Sequence, residues 1–534
     1  MHFLEDTMRL LRPRKWLLSA CFATVSLSVL SSNLYADGIG NLPNLGDAGS
    51  SELSVQDEKK LGDLIMRDYR TFGQINDDSE ITGFLNRFGA KIVTAAGASP
   101  SDFEFFLVTD KTINAFALPG GHIGVNSGLI ASAHTESELA SVLAHEVGHV
   151  TQRHIARMYS QQKQTSLVSA AAIIAGILLA SSNPDAAQGV IAAGAGYSVN
   201  QQLSFSRDSE READRVGFAT LEAAGFNPQG MVDFFGRLQK SARLYENNAP
   251  AYLQTHPLTA ERIADIRNRA GLVPEKKDYN DDPLEFELVR VKAIVVADKS
   301  PQDLNDQLRI FQEPMIQENI KNPVVLAYGR SLVLSKLGKT QQALTEVTKA
   351  IDLYDQGRSV VKVQVMPAML QAERLRLRLK LYDTGRPDLV PNRADSTLNP
   401  QEKKLLADLE DFRETYKGNM SVKLLYARGL QSLGLHEKAE QFLRDLTAAY
   451  RSNGDLFELA AKSAQALGKQ ADQHYFLAQS YAARGAYLPA IEQTQIAKRF
   501  ATNDYYLLAE IDAKQREYKQ KADEQREMMK SMKQ

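Results

Sequence analysis

The sequence predicts a mostly helical α+β domain with one small antiparallel sheet, followed by an all-α solenoid of stacked helical hairpins. Three observations carry that prediction. The stretch from Asp102 to Leu129 holds the convincing β-forming runs of the chain. Directly after it, Thr135 and Glu138 form a helix-starting box ahead of a long helical pattern. In the C-terminal half, a glycine followed five residues later by an alanine recurs at Gly338/Ala343, Gly434/Ala439 and Gly485/Ala490. At 534 residues there is length for two or three domains, each with its own core. A formal charge of -2 gives no sign of nucleic-acid binding or of bulk electrostatic attraction to a membrane. No run is apolar and long enough to read as a transmembrane helix.

The first 36 residues read as an export signal, with cleavage after Ala36. Arg9, Arg12, Arg14 and Lys15 are the basic start, Trp16 to Leu30 is largely apolar, and Asn33-Leu34-Tyr35-Ala36 offers a small residue for processing. Leu18-Ser19-Ala20-Cys21 looks like a lipoprotein box, but only five residues separate Lys15 from Cys21, fewer than the usual apolar stretch of about 7–15. Lipidation at Cys21 is therefore disfavoured. Cys21 and Trp16 are the single Cys and Trp of the chain, so processing leaves a thiol-free protein suited to an oxidising compartment. The bacterial periplasm is the expected location. Residues 37–54, rich in Gly, Ser and Asn, read as a flexible segment.

Helices are expected from Ser54 to about Tyr69 and from Ser79 to about Ala96. The aromatic run Phe103 to Val108 and the pair Asn114–Leu118 and His122–Asn126, joined at Pro119-Gly120-Gly121, give the sheet. An outer strand beside the helix that follows can pair with an extended peptide and hold its backbone in register.

That helix carries Leu139, Val142, Leu143 and Val147 at helical spacing, and within it the motif His145-Glu146-Val147-Gly148-His149. His145 and His149 lie one turn apart on one face, where two imidazoles can hold one metal ion. Glu146 is rotated by about 100° and is left free to deprotonate a water. His154 falls five residues after His149, one short of the third-ligand position of the extended H-E-x-x-H motif. It reads as a surface or packing residue. Residues 167–199, rich in Ala, Gly and Ile, suggest two small-residue helices beside the site, with a mobile lid or a contact to lipid or partner protein as the sharper reading. Further on, Ser206-Arg207-Asp208-Ser209-Glu210-Arg211-Glu212-Ala213-Asp214 reads as a helix start capped by Asp208. Glu210 and Asp214 share a face and Glu212 points elsewhere, so Glu210 is the candidate third ligand and Asp214 the acceptor that fixes a ligand imidazole. Two imidazoles and a carboxylate leave the open position that a catalytic zinc site needs.

HEVGH followed by S-R-D-S-E-R-E-A-D resembles the M48 family of zinc metallopeptidases, and the export signal and helical tail are similar to its β-barrel assembly-enhancing branch. The resemblance implies a zincin-like metalloprotease domain holding one Zn2+ through His145, His149 and Glu210, with Glu146 as the catalytic carboxylate. Membrane-embedded members of the family carry several transmembrane helices that this chain lacks, which points to a soluble periplasmic enzyme. It further implies a chaperone-like role in outer-membrane β-barrel assembly and degradation of misassembled barrels. Unfolded or stalled barrel proteins would be the substrates, and the barrel-assembly machinery a partner of the repeats. The alternative is a repeat-based chaperone or adaptor with a latent protease site. Thr255-His256-Pro257-Leu258-Thr259-Ala260-Glu261-Arg262 is also similar to a stretch of that family. His256 is expected at the start of a helix whose first position is Pro257, where it stabilises an oxyanion, occupies the fourth zinc position as a latent-state switch, or only packs at the helix start.

The protease unit is expected over 55–272, a polar linker over 273–284 and a tetratricopeptide-like domain over 285–534. Gly434 and Gly468 are 34 residues apart, one full repeat of that type, and Gly485 follows after a half repeat of 17. Stacked hairpins of this kind make a curved surface for segments of other proteins. The charged, Met-tipped end, residues 510–534, reads as a capping helix.

Overall fold

The computed structural model describes residues 53–71, 75–161, 206–244, 250–274, 279, 282–298, 300–313, 320–358 and 366–531. The signal over 1–36, most of the 37–54 segment and the 167–199 stretch lie outside the described residues.

Four strands form one sheet in the order β1-β2-β4-β3: β1 (Ile75–Asn76), β2 (Glu104–Val108), β3 (Ala115–Leu118) and β4 (His122–Asn126). β1 with β2 and β3 with β4 are antiparallel, but β2 and β4 run parallel, Glu104 opposite His122 and Val108 opposite Asn126. The sheet is therefore mixed, not wholly antiparallel as the hairpin pattern predicts. The β3–β4 hairpin inserts β4, not β3, next to β2, which leaves β3 at the outer position.

Alternation along β2 feeds two cores. Phe105 and Leu107 join the large core with α2 (Ser79–Ala95) and α4 (Glu136–Thr151). Phe106 and Val108 face the other way, against Leu61, Ile65, Met66 and Tyr69 of α1 (Val55–Thr71). The sheet is thus covered on both faces. Asp78 caps α2 by accepting from the amides of Glu80 and Ile81.

Between β4 and α4 lies the short α3 (Ser127–Ser132), and after α4 comes α5 (His154–Gln161). Then follow α6 (Arg207–Ala223), α7 (Gln229–Leu244), α8 (Ala251–Thr255) and α9 (Ala260–Ala270). The helical region continues through α10 (Pro283–Ala297), α11 (Pro301–Gln312), α12 (Pro323–Lys336), α13 (Thr340–Arg358) and α14 (Ala368–Asp383). One hydrophobic core runs unbroken from Ile81 through Phe286 and Tyr328 to Leu377. Lys292 of α10 reaches Asp78 and Glu80, and Arg376 of α14 donates to Glu80 at 2.7 Å, so α2 is tied to the helices beyond residue 282 by buried charge as well.

The remaining elements are α15 (Pro400–Thr415), α16 (Met420–Ser432), α17 (His436–Ala449), α18 (Gly454–Ala466), α19 (Gln470–Ala483), α20 (Tyr487–Phe500) and α21 (Tyr505–Ser531). The glycines of the recurring pattern are turns between paired helices. Gly338, Gly434, Gly468 and Gly485 all have φ between 71° and 77°, the left-handed region. In each turn the next amide bonds back to the carbonyl five residues earlier, as from Lys339 to Leu334 and from Leu435 to Leu430. The paired alanines, Ala343, Ala439 and Ala490, are fully buried where the second helix returns against the first. Gln525 of α21 accepts from Arg67 of α1 at 3.3 Å, which brings the end of the repeats back to the protease region.

Candidate metal centre

α4 begins where the sequence predicts, with the Thr135 hydroxyl accepting from the Glu138 amide at 3.2 Å. The reciprocal half of the box differs. The Glu138 carboxylate accepts from the His134 amide at 2.6 Å and is held by Arg237 of α7. α6 starts earlier than expected: Ser206, not Asp208, is the cap, accepting from the Ser209 amide.

α4 and α6 cross with their backbones almost touching. A Cβ on Gly217 would stand 3.0 Å from the His145 backbone, and one on Gly148 would stand 3.2 Å from the Ala213 carbonyl oxygen. Glycine at 217 gives the close approach by which Glu210, two turns earlier on α6, comes down beside the imidazoles of α4. The two segments predicted to converge do converge. His145 Nε2 and His149 Nε2 are 3.0 Å apart, and the Glu210 carboxylate oxygens lie 3.5 Å from the first and 3.4 Å from the second. His256 joins them, its Nδ1 2.9 Å from Glu210 Oε1 and 3.4 Å from His145 Nε2. One donor atom from each of His145, His149, Glu210 and His256 falls within 4.8 Å of every other. All four are buried.

His256 arrives by a route other than the predicted one. It closes α8, and α9 begins only at Ala260 with Thr259 as its cap, so Pro257 is in the connection and not at a first helical position.

Asp214 lies 3.0 Å from His145 Nδ1, as the shared face predicts. Arg262 of α9 forks onto it, Nε to Oδ2 at 2.6 Å and Nη2 to Oδ1 at 2.8 Å, while Nη1 lies 2.6 Å from Glu210 Oε2. Burial pulls the His145 imidazole down, but the Asp214 and Glu210 carboxylates outweigh it and hold its pKa at about 9. Burial pushes Glu210 up, and the three imidazoles together bring it well below the usual carboxylate range. For His149 burial wins, and its pKa falls well below the ordinary histidine value.

Glu146 is fully buried, and among the described residues neither carboxylate oxygen makes a hydrogen bond to a side chain. His256 Nε2 is 3.5 Å from its Oε1, and the backbone of Ala117 in β3 is the other polar group near it. Burial raises its pKa, against the pull of His256 and His145. A buried, weakly partnered carboxylate with a raised pKa is poised to take up and release a proton.

Sequence reasoning missed two contributors. Arg262 is one; its only signal is a charge on the same face of α9 as the buried Ile266. The other is His154, which is not a surface residue: it is 1% exposed, with Nδ1 2.8 Å from His149 Nδ1 and Nε2 3.0 Å from Glu212 Oε2. Its position depends on Arg153, which sits at φ 52° and turns the chain back at the end of α4. Arg153 is pinned there by the Leu53 carbonyl and the Glu58 carboxylate, at 2.7 and 3.1 Å.

The donor set fits a divalent cation of the zinc type. Two imidazole nitrogens 3.0 Å apart, both aimed at one carboxylate, are an arrangement that a cation between them stabilises.

The profile of peptidase family M48 matches residues 81–270, which contain every residue of this cluster. A Vibrio cholerae protein designated a beta-barrel assembly-enhancing protease is 35% identical over 340 residues, 63% of this chain and 68% of its own length. The chain belongs to peptidase family M48. Within M48 it is also similar to the beta-barrel assembly-enhancing protease of Escherichia coli strain K12, 28% identical over 473 residues that make up 88% of this chain and 90% of that one. As an M48 metallopeptidase it therefore groups with the barrel-assembly-enhancing proteases. A solved TPR domain of P58(IPK) overlays 74% of the chain and 95% of its own at 14% identity, with a TM-score of 0.17 that carries no weight. The helical-repeat character of this M48 chain rests on its own hairpins and their glycine turns.

Proposed function

We propose that this chain is a periplasmic zinc endopeptidase that helps outer-membrane β-barrel proteins assemble and degrades those that stall. His145, His149 and Glu210 would hold the zinc, which when bound supplies Lewis-acid chemistry, polarising the scissile carbonyl and acidifying a water. Glu146 takes the proton of the attacking water and delivers it to the leaving amine. Asp214, gripped by Arg262, keeps the His145 ring turned with Nε2 toward the cluster. β3, outermost in the sheet and close to Glu146 through Ala117, is placed to pair with the backbone of an extended substrate. The observation that carries the reading is the convergence of Glu210 with both imidazoles of the H-E-x-x-H helix, 61 or more residues downstream in the chain.

The division into a protease unit over 55–272 and repeats over 285–534 belongs to the same reading, with the repeats recruiting unfolded barrel proteins and the assembly machinery. The basic and apolar start of the chain supports export, and among the described residues no helix is long and apolar enough to cross a membrane. One observation favours the second reading, an adaptor with a latent site. His256 Nδ1 lies within the cluster, where it would take the fourth zinc position.

Glu146→Gln separates the two. The substituted protein should keep its zinc and lose about 10²–10⁴-fold in hydrolysis of an unfolded barrel protein. Zinc-replete Glu146→Gln protein that still cleaves would remove Glu146 from the chemistry, and full complementation of a deletion strain by it would favour the adaptor.

A further inference from the structure

We propose that His154 is a positioning residue: it fixes the tautomer and aim of His149 for metal binding, through a relay that ends on the Glu212–Arg157 ion pair. The inference rests on the metal site proposed above and concerns how that site is held.

The argument is one of proton counting. His149 turns its Nε2 toward the cluster, 3.0 Å from His145 Nε2 and 3.4 Å from Glu210 Oε1. A ligating nitrogen needs its lone pair free, so neutral His149 must carry its proton on Nδ1. That Nδ1 faces His154 Nδ1 at 2.8 Å, and of two ring nitrogens so placed one donates and the other accepts. His149 Nδ1–H is then the donor, His154 Nδ1 the acceptor, and the His154 proton sits on Nε2. There it donates to Glu212 Oε2 at 3.0 Å, and Arg157 Nη2 donates to the same oxygen at 2.5 Å. The opposite tautomer of His154 would put its proton against His149 Nδ1 and force the His149 proton onto the ligating nitrogen.

The two predicted ligand histidines are therefore supported differently. His145 faces a carboxylate directly, Asp214 at 3.0 Å. His149 reaches its carboxylate one imidazole further away. A single helix serves both: α6 carries Glu210 and Asp214 on the face toward the cluster and Glu212 on another, against His154. The left-handed turn at Arg153 makes the second route available by folding His154 back under its neighbour.

The test compares His154→Phe, which fills the space without an acceptor, with His154→Asn, whose side-chain oxygen can stand in for Nδ1. In the full-length chain, zinc affinity is measured by competition with a chromogenic chelator, and metal-free melting is recorded alongside. His154→Phe should bind zinc about 10–100-fold more weakly, the usual cost of losing a partner behind a ligand imidazole. His154→Asn should recover most of the affinity. Should His154→Phe not fold, Glu212→Ala takes its place, with a loss of affinity again expected in folded protein. Unchanged affinity in folded His154→Phe or Glu212→Ala, or His154→Asn binding as weakly as His154→Phe, overturns the proposal. A wild-type chain that binds no zinc would instead overturn the metal site itself, and this inference with it.

Discussion

Where α4 crosses α6, His145, Glu146, His149, Glu210 and Asp214 are all buried and answer one another across few ångströms, with His256 and Arg262 closing over them. The hairpin of α16 and α17 is built the other way. Its inside is Val422, Leu425, Tyr426, Leu430, Leu433 and Ala439, and its charges, such as Lys438 with Asp395 and Glu410, stay at the rim. The first region is held by polar groups from distant stretches of chain that pair with one another, with Glu146 left without a side-chain hydrogen bond among the described residues. The second is held by apolar contacts between neighbours in sequence. Damage should accordingly spread at the crossing and stay local in the repeats.

The largest effect is expected at Arg262. Replacement by Met leaves the buried Asp214 and Glu210 carboxylates without their guanidinium partner, at a cost of about 3–5 kcal/mol in urea denaturation of the metal-free chain. A loss below about 1 kcal/mol, the level of an exposed pair, would mean that the crossing is no more dependent on its charges than the rim of a repeat.

Two glycines sharpen the contrast next. Gly217→Ala forces the α4 and α6 backbones apart, costs about 1–3 kcal/mol and weakens metal binding, because it shifts His145 relative to Glu210. At Gly338 the φ is 77°, and among the described residues nothing lies within 4 Å of the place a Cβ would take. Gly338→Ala therefore costs only what a left-handed alanine costs, about 1–2 kcal/mol, with metal affinity unchanged. Equal effects of the two on metal affinity would break the comparison.

The smallest expected effect lies under α1, where His122 is buried between Asp63 and Glu104, at 3.2 and 2.9 Å. Burial lowers its pKa, but the two carboxylates more than compensate and raise it above the ordinary 6.5. A raised folded-state value means that the protonated form stabilises the fold. That contribution is complete below about 6.5 and is lost as pH rises through the folded value. Unfolding midpoints at about pH 6 and about pH 9 should differ less in His122→Gln than in the parent chain. An unchanged difference would assign the pH dependence elsewhere.

Legibility in the sequence follows how local each feature is. The H-E-x-x-H helix, the Glu210/Asp214 face and the glycine turns of the repeats are spacings of five residues or fewer, and each stands where the spacing puts it. The parallel pairing of β2 with β4 is hidden, since strand runs reveal strands and not their neighbours. His154 is expected only as a surface or packing residue and proves to be buried; its spacing speaks only to a ligand's role, and its contact with His149 depends on a backbone turn that Arg153 does not advertise. Cap positions slip by two residues at α6 and three at α9, where several residues compete to cap one end.

By itself the sequence determined which side chains could bind a metal and which face of each helix carries them, because periodicity along one helix is a property of the local backbone. Tertiary structure alone decided that α6 approaches α4 closely enough for Glu210 to meet both imidazoles, that Arg262 and His256 join from α9 and the end of α8, and that His154 turns inward. Those outcomes depend on the space left by Gly148 and Gly217 and on the mutual neutralisation of buried charges, and both come into being only when remote segments are packed together.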